Sequence, residues 1–560
     1  MESKSSLPWS TKISYGVGHV FNDLCASMWF TYLLIFYQNV LLFDSRLSGL
    51  LLLVGQVADG LSTPVVGIFS DKENKIPLCA RYGRRKVWHL LGTVLIFVSF
   101  PFIYNKCLGC EDSDMWSQFG YYCIFVCIFQ FGWACVQISH LALIPDLTTK
   151  KHQRTELNSI RYAFTVLSNL SVFTITFFVL KTSKVTEGDN GFSDNSTTFM
   201  PTSTMPSSTT SAPDIDSIGP EDAEKFRNIA LICCGVGAVF SFIFHIGVQE
   251  PPYVPYRKKQ EAIAVQEKSK DGAAIERQMT QKMRKLDWFK EMPFYQIAVL
   301  YMATRLYVNL YQVYIPLYVQ ETLNVDQSYV ATVPFAMYLS GFGGSLIMKQ
   351  INKKIGRKGT FALGCVVGIF GCVWIWFGEG SYFNEWGVFL VAALLGIGGS
   401  TLLITSLSIT ADLIGHNVEG GAFVYGFMSL VDKVSNGVLI MIIQNEDPSE
   451  GWYYRSVITF ACGSACVLGI GVVLTLINTR VGQRRKGKMS PVMEILEESD
   501  VTDSDGGIDN PAASCTTDEK PALPSVCQLK VEDHPSQCQC EIPKLCTHRP
   551  TENGKVDGRY

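Results

Sequence analysis

Long apolar stretches recur along the first 480 residues of the chain, and shorter polar segments separate them. A bilayer core about 30 Å thick needs roughly 20 predominantly apolar residues for each helix that crosses it. Twelve stretches are close to this length. They lie at residues 13–42, 47–69, 87–104, 120–144, 157–180, 228–248, 294–319, 329–348, 361–377, 387–410, 420–443 and 456–477. The pattern predicts an all-α membrane protein with twelve transmembrane helices, which we number in chain order.

The polar segments divide these helices into two groups of six. A charged linker at 249–293 lies between helices 6 and 7, so we expect an N-terminal bundle at 13–248 and a C-terminal bundle at 294–477. Residues 182–226, rich in Ser, Thr and Pro, are expected to form a long loop after helix 5. Residues 478–560 are polar without apolar periodicity, which is typical of a disordered tail.

Lys and Arg residues cluster in the loops that follow even-numbered helices, and they predict the orientation because these residues resist crossing the membrane. Six follow helix 2, three follow helix 4 and five follow helix 8, whereas the loops after helices 7 and 9 contain none. Both termini, including residues 1–12, are therefore predicted to be cytosolic. The loop at 182–226 would then be luminal, where Asn195 of the sequon Asn195-Ser196-Thr197 is a glycosylation candidate, although one sequon also arises by chance.

Composition supports a membrane protein and excludes other classes. Hydrophobic residues make up 48% of the chain and charged residues only 17%, whereas soluble domains contain about 25% charged residues. The net charge of −3 gives no reason to expect nucleic-acid binding. Most of the 18 cysteines lie in apolar runs and behave as small hydrophobes. Cys107 and Cys110 predict a loop disulfide or two free thiols, since a zinc site needs about four ligands.

A short Gly-Arg motif occurs at the same place in each group of helices. Gly83-Arg84-Arg85-Lys86 lies between helices 2 and 3, and Gly356-Arg357-Lys358 lies between helices 8 and 9. Repeats of this kind build transporters whose substrate binds near the middle of the membrane, between two halves that move about it. The repeat predicts two pseudo-symmetric six-helix bundles with a central substrate site.

The first of these motifs resembles that of the major facilitator superfamily, in which Gly-x-x-x-Asp precedes Gly-Arg-Arg-Lys. This sequence has Gly67-Ile68-Phe69-Ser70-Asp71, then an insertion, then the motif. Three further segments resemble the glycoside-pentoside-hexuronide:cation symporters, the melibiose-permease branch: Gly16-x-Gly18 with Asn22-Asp23, Ala58-Asp59-Gly60-x-x-x-Pro64-x-x-Gly67, and Leu143-Ile144-Pro145. The resemblance covers residues 10–480 and implies the major facilitator fold. It also implies a gating role for Asp71, Gly83, Arg84, Arg85, Gly356 and Arg357.

The resemblance implies an alternating-access secondary transporter of a small polar solute rather than an enzyme, and the chain shows no convincing catalytic or nucleotide-binding motif. The animal members that it most resembles are lysosomal and melanosomal proteins associated with cysteine import. We therefore expect cysteine or a related amino acid as substrate, and the lysosome and melanosome membrane, or alternatively the plasma membrane, as location. Two alternatives stay open, namely a cation-coupled sugar or lysolipid symporter of the same branch and a non-transporting receptor or scaffold.

The expected partners are a small-molecule substrate and membrane lipids, with no nucleic acid. The protein is expected to be a monomer. We expect no cofactor and no bound metal, apart from a proton or sodium as the coupling ion.

Ionisable residues inside a membrane are costly, by about 2.5–3.5 kcal/mol on insertion scales, and usually face a cavity. In the melibiose-permease branch the acid matching Asp59 belongs to the cation site, and a second carboxylate completes it. Thr63 replaces that carboxylate here, and a lone carboxylate suits a proton better than sodium. Asp59 could instead be half of a static ion pair. Lys433 matches the family's membrane-embedded lysine and needs a carboxylate partner such as Asp59. Its neighbour Asp432 points about 100° around the helix and could end at a helix interface.

Asp23 and Arg161 match the acid and the arginine that bind substrate hydroxyls in sugar-carrying relatives. The same opposite charges suit a zwitterionic amino acid, with its carboxylate on Arg161 and its ammonium on Asp23. Gln137 replaces the helix 4 acid of the sugar carriers, which weakens the sugar interpretation. Arg161 could instead extend toward the cytosolic surface.

Helix 7 carries Arg305, Asn309 and Gln312 at spacings that place them on one helical face. We expect this stripe to line the substrate cavity, with hydrogen bonding between helices as the alternative. Outside helix 7, His19, His140 and His245 could relay protons or could be ordinary packing residues.

Overall fold

The computed structural model describes residues 7–70, 82–148, 150–188, 217–251, 285–414 and 421–476. Within these ranges nearly every residue is helical and none lies in a β-strand, which confirms the predicted all-α fold. Eleven of the described helices are long and apolar enough to cross a membrane. Together with Met292–Leu317 they are numbered in chain order: α1 Trp9–Val40, α2 Ser45–Ser70, α3 Arg84–Ile103, α4 Met115–Leu147, α5 Lys151–Gly188, α6 Pro220–Gly247, α7 Met292–Leu317, α8 Tyr329–Met348, α9 Gln350–Phe377, α10 Phe383–Ile414, α11 Gly421–Asn445 and α12 Tyr453–Leu476.

α7 is less apolar than the other eleven helices. Its 26 residues are enough to cross a bilayer, but Arg305, Asn309 and Gln312 interrupt its apolar residues. Every residue from Leu306 to Leu317 is buried, because α7 packs against α1, α10, α11 and α12. A helix enclosed in this way can carry polar side chains that a lipid-facing helix could not.

Two helices are present where helices 8 and 9 were predicted, but the loop expected between them is reduced to a kink, since the residues from Tyr329 to Phe377 are helical except at Gly356. Gly356, with a φ of 72°, is not helical, and the two helices meet there. Lys and Arg are good helix formers, so a basic segment that orients the chain need not interrupt the helix. The loop predicted at 182–226 is also shorter at both ends, since α5 extends to Gly188 and α6 begins at Pro220.

The helices form two halves, α1–α6 and α7–α12, which meet where α1 packs against α7, α2 against α11 and α5 against α8. α2 and α11 approach closely, since a Cβ added to Gly437 would lie 2.8 Å from Leu53 and 3.1 Å from Gln56. We call the end of the bundle that holds Arg84 and Arg357 the motif end, and the opposite end the far end.

The two halves are joined by hydrogen bonds at the far end. Ser45 Oγ donates to Asp447 Oδ2 at 2.9 Å, and the hydroxyl of Tyr454 lies 3.3 Å from Gln38 Oε1. Two amide contacts add to these bonds, Gln38 with Gln444 and Asn39 with Glu321. The far end can therefore open only if these contacts between the halves break.

Candidate functional site

Asp59 and Lys433 form an ion pair between the two halves, near the middle of α2 and α11. Lys433 Nζ lies 2.7 Å from Asp59 Oδ2 and donates to the hydroxyl of Thr63 at 3.0 Å. That hydroxyl donates in turn to Asp59 Oδ1 at 3.2 Å. The carboxylate partner expected for Lys433 is therefore present, and it is Asp59.

This ion pair is largely shielded from solvent, with 13% of the Lys433 side chain and 10% of the Asp59 side chain exposed. Gly60 lies beside it, and a Cβ added there would come within 3.9 Å of the Lys433 stem. Two poorly hydrated charges stabilise one another only while both are ionised and close. Adding a proton to Asp59, or parting the halves, leaves Lys433 without its counter-charge.

Asp432 forms a second ion pair, inside the C-terminal half. Arg305 Nε lies 2.9 Å from Asp432 Oδ2, and Asn436 Nδ2 donates to Asp432 Oδ1 at 2.7 Å. α7 and α11 carry this pair and belong to the same half. A movement of one half against the other therefore leaves Arg305 and Asp432 together, unlike Asp59 and Lys433.

The other predicted polar ligands lie on α7 and α4. Gln312 Nε2 donates to Thr31 Oγ1 of α1 at 3.5 Å, and Asn309 is buried on the same helical face. Gln137 accepts a hydrogen bond from Trp133 Nε1 at 3.2 Å. For Gln312 the structure thus shows a contact between helices, while substrate binding by these residues stays a prediction.

Asp23 is held by two neighbours other than Arg161. His19 Nδ1 lies 2.9 Å from Asp23 Oδ1, and the hydroxyl of Thr165 donates to Asp23 Oδ2 at 2.7 Å. Thr165 follows Arg161 by one helical turn, so α5 directs both toward the same region. Arg161 Nε is buried and has no hydrogen-bond partner among the described residues. Asp23 and Arg161 therefore carry opposite charges and do not bond to each other.

The first Gly-Arg motif anchors the motif end of the N-terminal half. Gly83 has a φ of 117°, and Arg85 Nε donates to Asp146 Oδ2 at 2.8 Å while Arg84 Nη2 reaches the same oxygen at 3.3 Å. Glu250 accepts the backbone N–H groups of Arg85 and of the next residue, each at 3.0 Å. Burial raises the pKa of the Glu250 carboxyl. The hydrogen bonds from these N–H groups and the charge of Arg84 lower the pKa, but by less than burial raises it.

The second motif repeats this arrangement in the C-terminal half. Gly356 has a φ of 72°, and Arg357 Nη1 donates to the carbonyl of Ser408 at 2.9 Å and pairs with Asp412 of α10. Asp146 and Asp412 lie near the ends of α4 and α10, six helices apart. The repeat predicted from sequence thus includes a matching arginine–aspartate contact, while gating by these residues stays a prediction.

We expect Gly83→Ala to lower stability more than Gly356→Ala. Positive φ costs alanine about 1–3 kcal/mol at either site. At Gly83 the new Cβ would also lie 2.5 Å from the Glu250 carboxylate, whereas nothing lies within 4 Å at Gly356. Thermal unfolding of the purified variants measures the difference, with Gly120→Ala as the control because its Cβ meets nothing within 4 Å. Equal losses at both motifs would contradict the steric role assigned to Glu250.

Sequence analysis missed Asp146, Asp412 and His89. Asp146 and Asp412 occupy equivalent positions in the two halves, after Pro145 and Ala411 near the ends of helices 4 and 10, so a comparison of the two halves could have found them. His89 is a buried histidine inside an apolar stretch, the same signal that drew attention to the other membrane histidines.

Several predicted features lie outside the described residues. They are Asp71 of the first motif, the sequon residue Asn195, the tail at 478–560 and most of the linker at 249–293. Cys107 and Cys110 are joined as a disulfide, one of the two states predicted for them.

Comparisons with known proteins agree with this architecture. Residues 14–445 match the family described as MFS/sugar transport protein. The chain is 45% identical over 438 residues to major facilitator superfamily domain-containing protein 12 of Homo sapiens, which covers 78% of this chain and 85% of the human protein. Against the protein of that name from Mus musculus it is 40% identical over 478 residues, covering 85% of this chain and 92% of the mouse protein.

Among solved structures, a D-xylose-proton symporter has a TM-score of 0.57 at 14% identity and covers 86% of this chain and 99% of that chain. This likeness shows the fold alone. The family match and the identity to the mammalian proteins extend over most of the chain. The chain therefore belongs to the MFS/sugar transport protein family of the major facilitator superfamily, and it is a multi-pass membrane transporter rather than an enzyme.

Proposed function

We propose that the protein is an alternating-access secondary transporter that imports cysteine or a related small amino acid into lysosomes and melanosomes. The observation that carries the mechanism is the ion pair of Asp59 and Lys433. It joins the two halves near the middle of the bundle, so their separation must break or rearrange it. An ionic contact at this place links the movement of the halves to the charge on Asp59.

The charges near the middle of the bundle support a zwitterionic substrate. They comprise three acids and three bases: Asp23, Asp59, Asp432, Arg161, Arg305 and Lys433. Asp59 and Asp432 each pair with a base, while Asp23 and Arg161 do not bond to each other. An amino acid offers a carboxylate to the guanidinium and an ammonium to the remaining carboxylate. A neutral sugar would leave the guanidinium without a counter-charge.

A proton, rather than sodium, is the coupling ion that we propose for Asp59. The ammonium of Lys433 already lies beside this carboxylate and also donates to the hydroxyl of Thr63. Sodium gains from several oxygen ligands, whereas a proton needs only the carboxylate. Protonation would release Lys433 from α2 and weaken the contact between the halves.

Uptake of labelled cysteine into liposomes containing the purified protein tests the substrate. We expect uptake that depends on the protein, responds to an imposed pH gradient, continues without sodium and falls on adding unlabelled cysteine but not melibiose. Equal uptake in empty liposomes would refute the substrate. A requirement for sodium would favour the sugar or lysolipid symporter.

Arg161→Gln should reduce this uptake at least about a hundredfold, because a lost charge-assisted bidentate contact costs roughly 3 kcal/mol or more. Arg227→Gln provides the matched control, since among the described residues Arg227 pairs only with the exposed Glu224 on the far-end surface. Equal uptake by both variants would remove Arg161 from the substrate site.

A further inference from the structure

Four histidines of the N-terminal half lie together on four helices, at His19 on α1, His89 on α3, His140 on α4 and His245 on α6. The first three expose 4%, 0% and 0% of their surface. Histidine is the side chain whose ordinary pKa lets it change charge between about pH 5 and pH 8. The interior of this half therefore contains four neighbouring groups that can each accept a proton.

Hydrogen bonds connect the cluster to the motif end. The hydroxyl of Tyr82 lies 2.7 Å from His245 Nδ1, and His245 Nε2 lies 3.1 Å from His89 Nδ1. His89 Nε2 lies 2.9 Å from the carbonyl oxygen of Gly18, which can only accept, so Nε2 carries a hydrogen. In the neutral cluster His89 Nδ1 therefore accepts from His245, and His245 Nδ1 accepts from Tyr82. The donors point in one direction, from the motif end inward.

The other side of the cluster reaches the middle of the bundle. His19 Nδ1 donates to Asp23 Oδ1 at 2.9 Å, and the ring centroids of His19 and His140 are 5.7 Å apart. The His140 and His89 centroids are 6.0 Å apart. His140 Nε2 donates to the carbonyl of Tyr15 at 2.7 Å, and its buried Nδ1 has no partner in the part of the chain that the structure describes. Midway along the cluster, an acceptor is thus available to a proton or a bridging water.

We propose that these four histidines bind a proton and conduct it between Tyr82 and Asp23. A proton arriving at the Tyr82 oxygen displaces the hydroxyl hydrogen onto His245, and each later step moves one hydrogen to the next ring nitrogen. Ring rotation or a water molecule bridges the two wider gaps. The proton ends on the Asp23 carboxylate, no electron is transferred, and the reverse sequence carries a proton out.

This path rests on the proposed transport function, for which it names a second proton site, separate from Asp59. Asp23 can hold either a proton or the substrate's ammonium group, but not both. Proton movement through the cluster would therefore be coupled to binding and release of the substrate at Asp23.

Charged and titratable groups lie on or next to the cluster, on each element packed against it, although Arg161 acts only through its charge and Glu250 only by way of Lys86. They are Tyr15 and Asp23 on α1, Tyr82 before α3, Lys86 on α3, Arg161 on α5 and Glu250 after α6. Lys86 Nζ donates to the backbone carbonyl of His245 at 2.9 Å, and Arg161 interacts electrostatically with His19 and His140. Of the two carboxylates, Asp23 bonds to His19 directly, while Glu250 interacts electrostatically with Lys86.

Two of the histidines also have a structural contact, which the experiment must separate from proton conduction. α1 is interrupted between Val17 and Val20, and His89 and His140 bond to carbonyls at this break. The His245 ring makes no such contact and bonds only to Tyr82 and His89 among the described residues. His245→Gln is therefore the informative variant.

The first test measures proton movement into liposomes with a trapped pH-sensitive dye, in the presence of unlabelled cysteine. We expect His245→Gln to slow it about a hundredfold, as for loss of one positioned proton-transfer group, with little change in unfolding temperature. Tyr82→Phe keeps the ring over Lys86, whose Nζ lies 4.6 Å from the ring centroid, but removes the hydroxyl, so it should slow movement similarly. Unchanged proton movement in both variants would overturn the proposal.

A second measurement needs no substrate. Unfolding temperatures of the wild type, His245→Gln and His140→Gln are compared between about pH 5 and pH 8, where bound protons appear as a slope. The wild type should show a pH dependence that the variants reduce. A slope that is identical in all three would overturn the proton site. If the variants reduce the slope but the wild-type protein does not transport cysteine, the proton site would be upheld and the proposed function refuted instead.

Discussion

Asp59→Asn is expected to abolish coupled transport, with a loss of at least about a hundredfold, as for removal of one proton-transfer group. Asparagine keeps the shape of the side chain but can neither take up a proton nor balance the Lys433 ammonium at 2.7 Å. The protein should still fold, because the pair lies where the two halves can part and so let water reach the Lys433 ammonium. Proton-driven uptake of labelled cysteine, measured beside the unfolding temperature, tests both parts of this expectation.

Two further variants separate the charge of Asp59 from the contact that it makes. Thr63→Val keeps both charges and removes the bridging hydroxyl, so uptake should fall about tenfold, as for one hydrogen bond to a charged group. Asp59→Asn combined with Lys433→Gln removes both charges and should restore any lost stability without restoring coupling. Full uptake by Asp59→Asn alone would make this residue half of a static ion pair, the alternative that the sequence left open.

The helices could be predicted from hydropathy because burial in a membrane requires long apolar runs. α7 was included for its length and pattern, although its arginine and two amides lower its hydropathy and the other helices enclose it. The loop between α8 and α9 could not be predicted in the same way. Basic residues there indicate which side of the membrane they face, but they are also good helix formers, so only Gly356 is left as a non-helical break between the two helices.

The contacts of the site were only partly predictable. Lys433 needed a counter-charge, and the resemblance placed one acid opposite it, so the Asp59 contact followed from electrostatics. Successive residues of a helix point about 100° apart, which predicts that Asp432 and Lys433 face different neighbours. It does not predict that the partner of Asp432 is Arg305, at 2.9 Å. The histidine cluster depends on how four helices are rotated relative to one another. A single sequence carries no direct signal of such rotations.

Asp432→Asn is expected to damage stability more than any other single change at the candidate site. The Asp432 side chain is 5% exposed and its partner Arg305 is 29% exposed. Removing the carboxylate leaves a guanidinium without its counter-charge, which costs up to about 3–5 kcal/mol for a buried pair. The loss should exceed that of Asp59→Asn because Asp432 also accepts a hydrogen bond from Asn436, and because both partners lie within one half, whose separation from the other half does not part them. The yield of folded protein after purification and its unfolding temperature should both fall clearly below those of Asp59→Asn.

The contrast between these two aspartates tests whether the halves move as rigid units. Arg305 and Asp432 lie in one half, so replacing both by apolar residues of similar size, Arg305→Met with Asp432→Leu, should recover stability because neither charge is stranded. The same treatment of Asp59 and Lys433 should not recover transport, because their contact spans the moving interface. If Asp432→Asn instead folds normally and loses transport, the Arg305–Asp432 pair acts in the transport cycle itself, either by opening or by placing Arg305 for the substrate, and is not a purely structural contact.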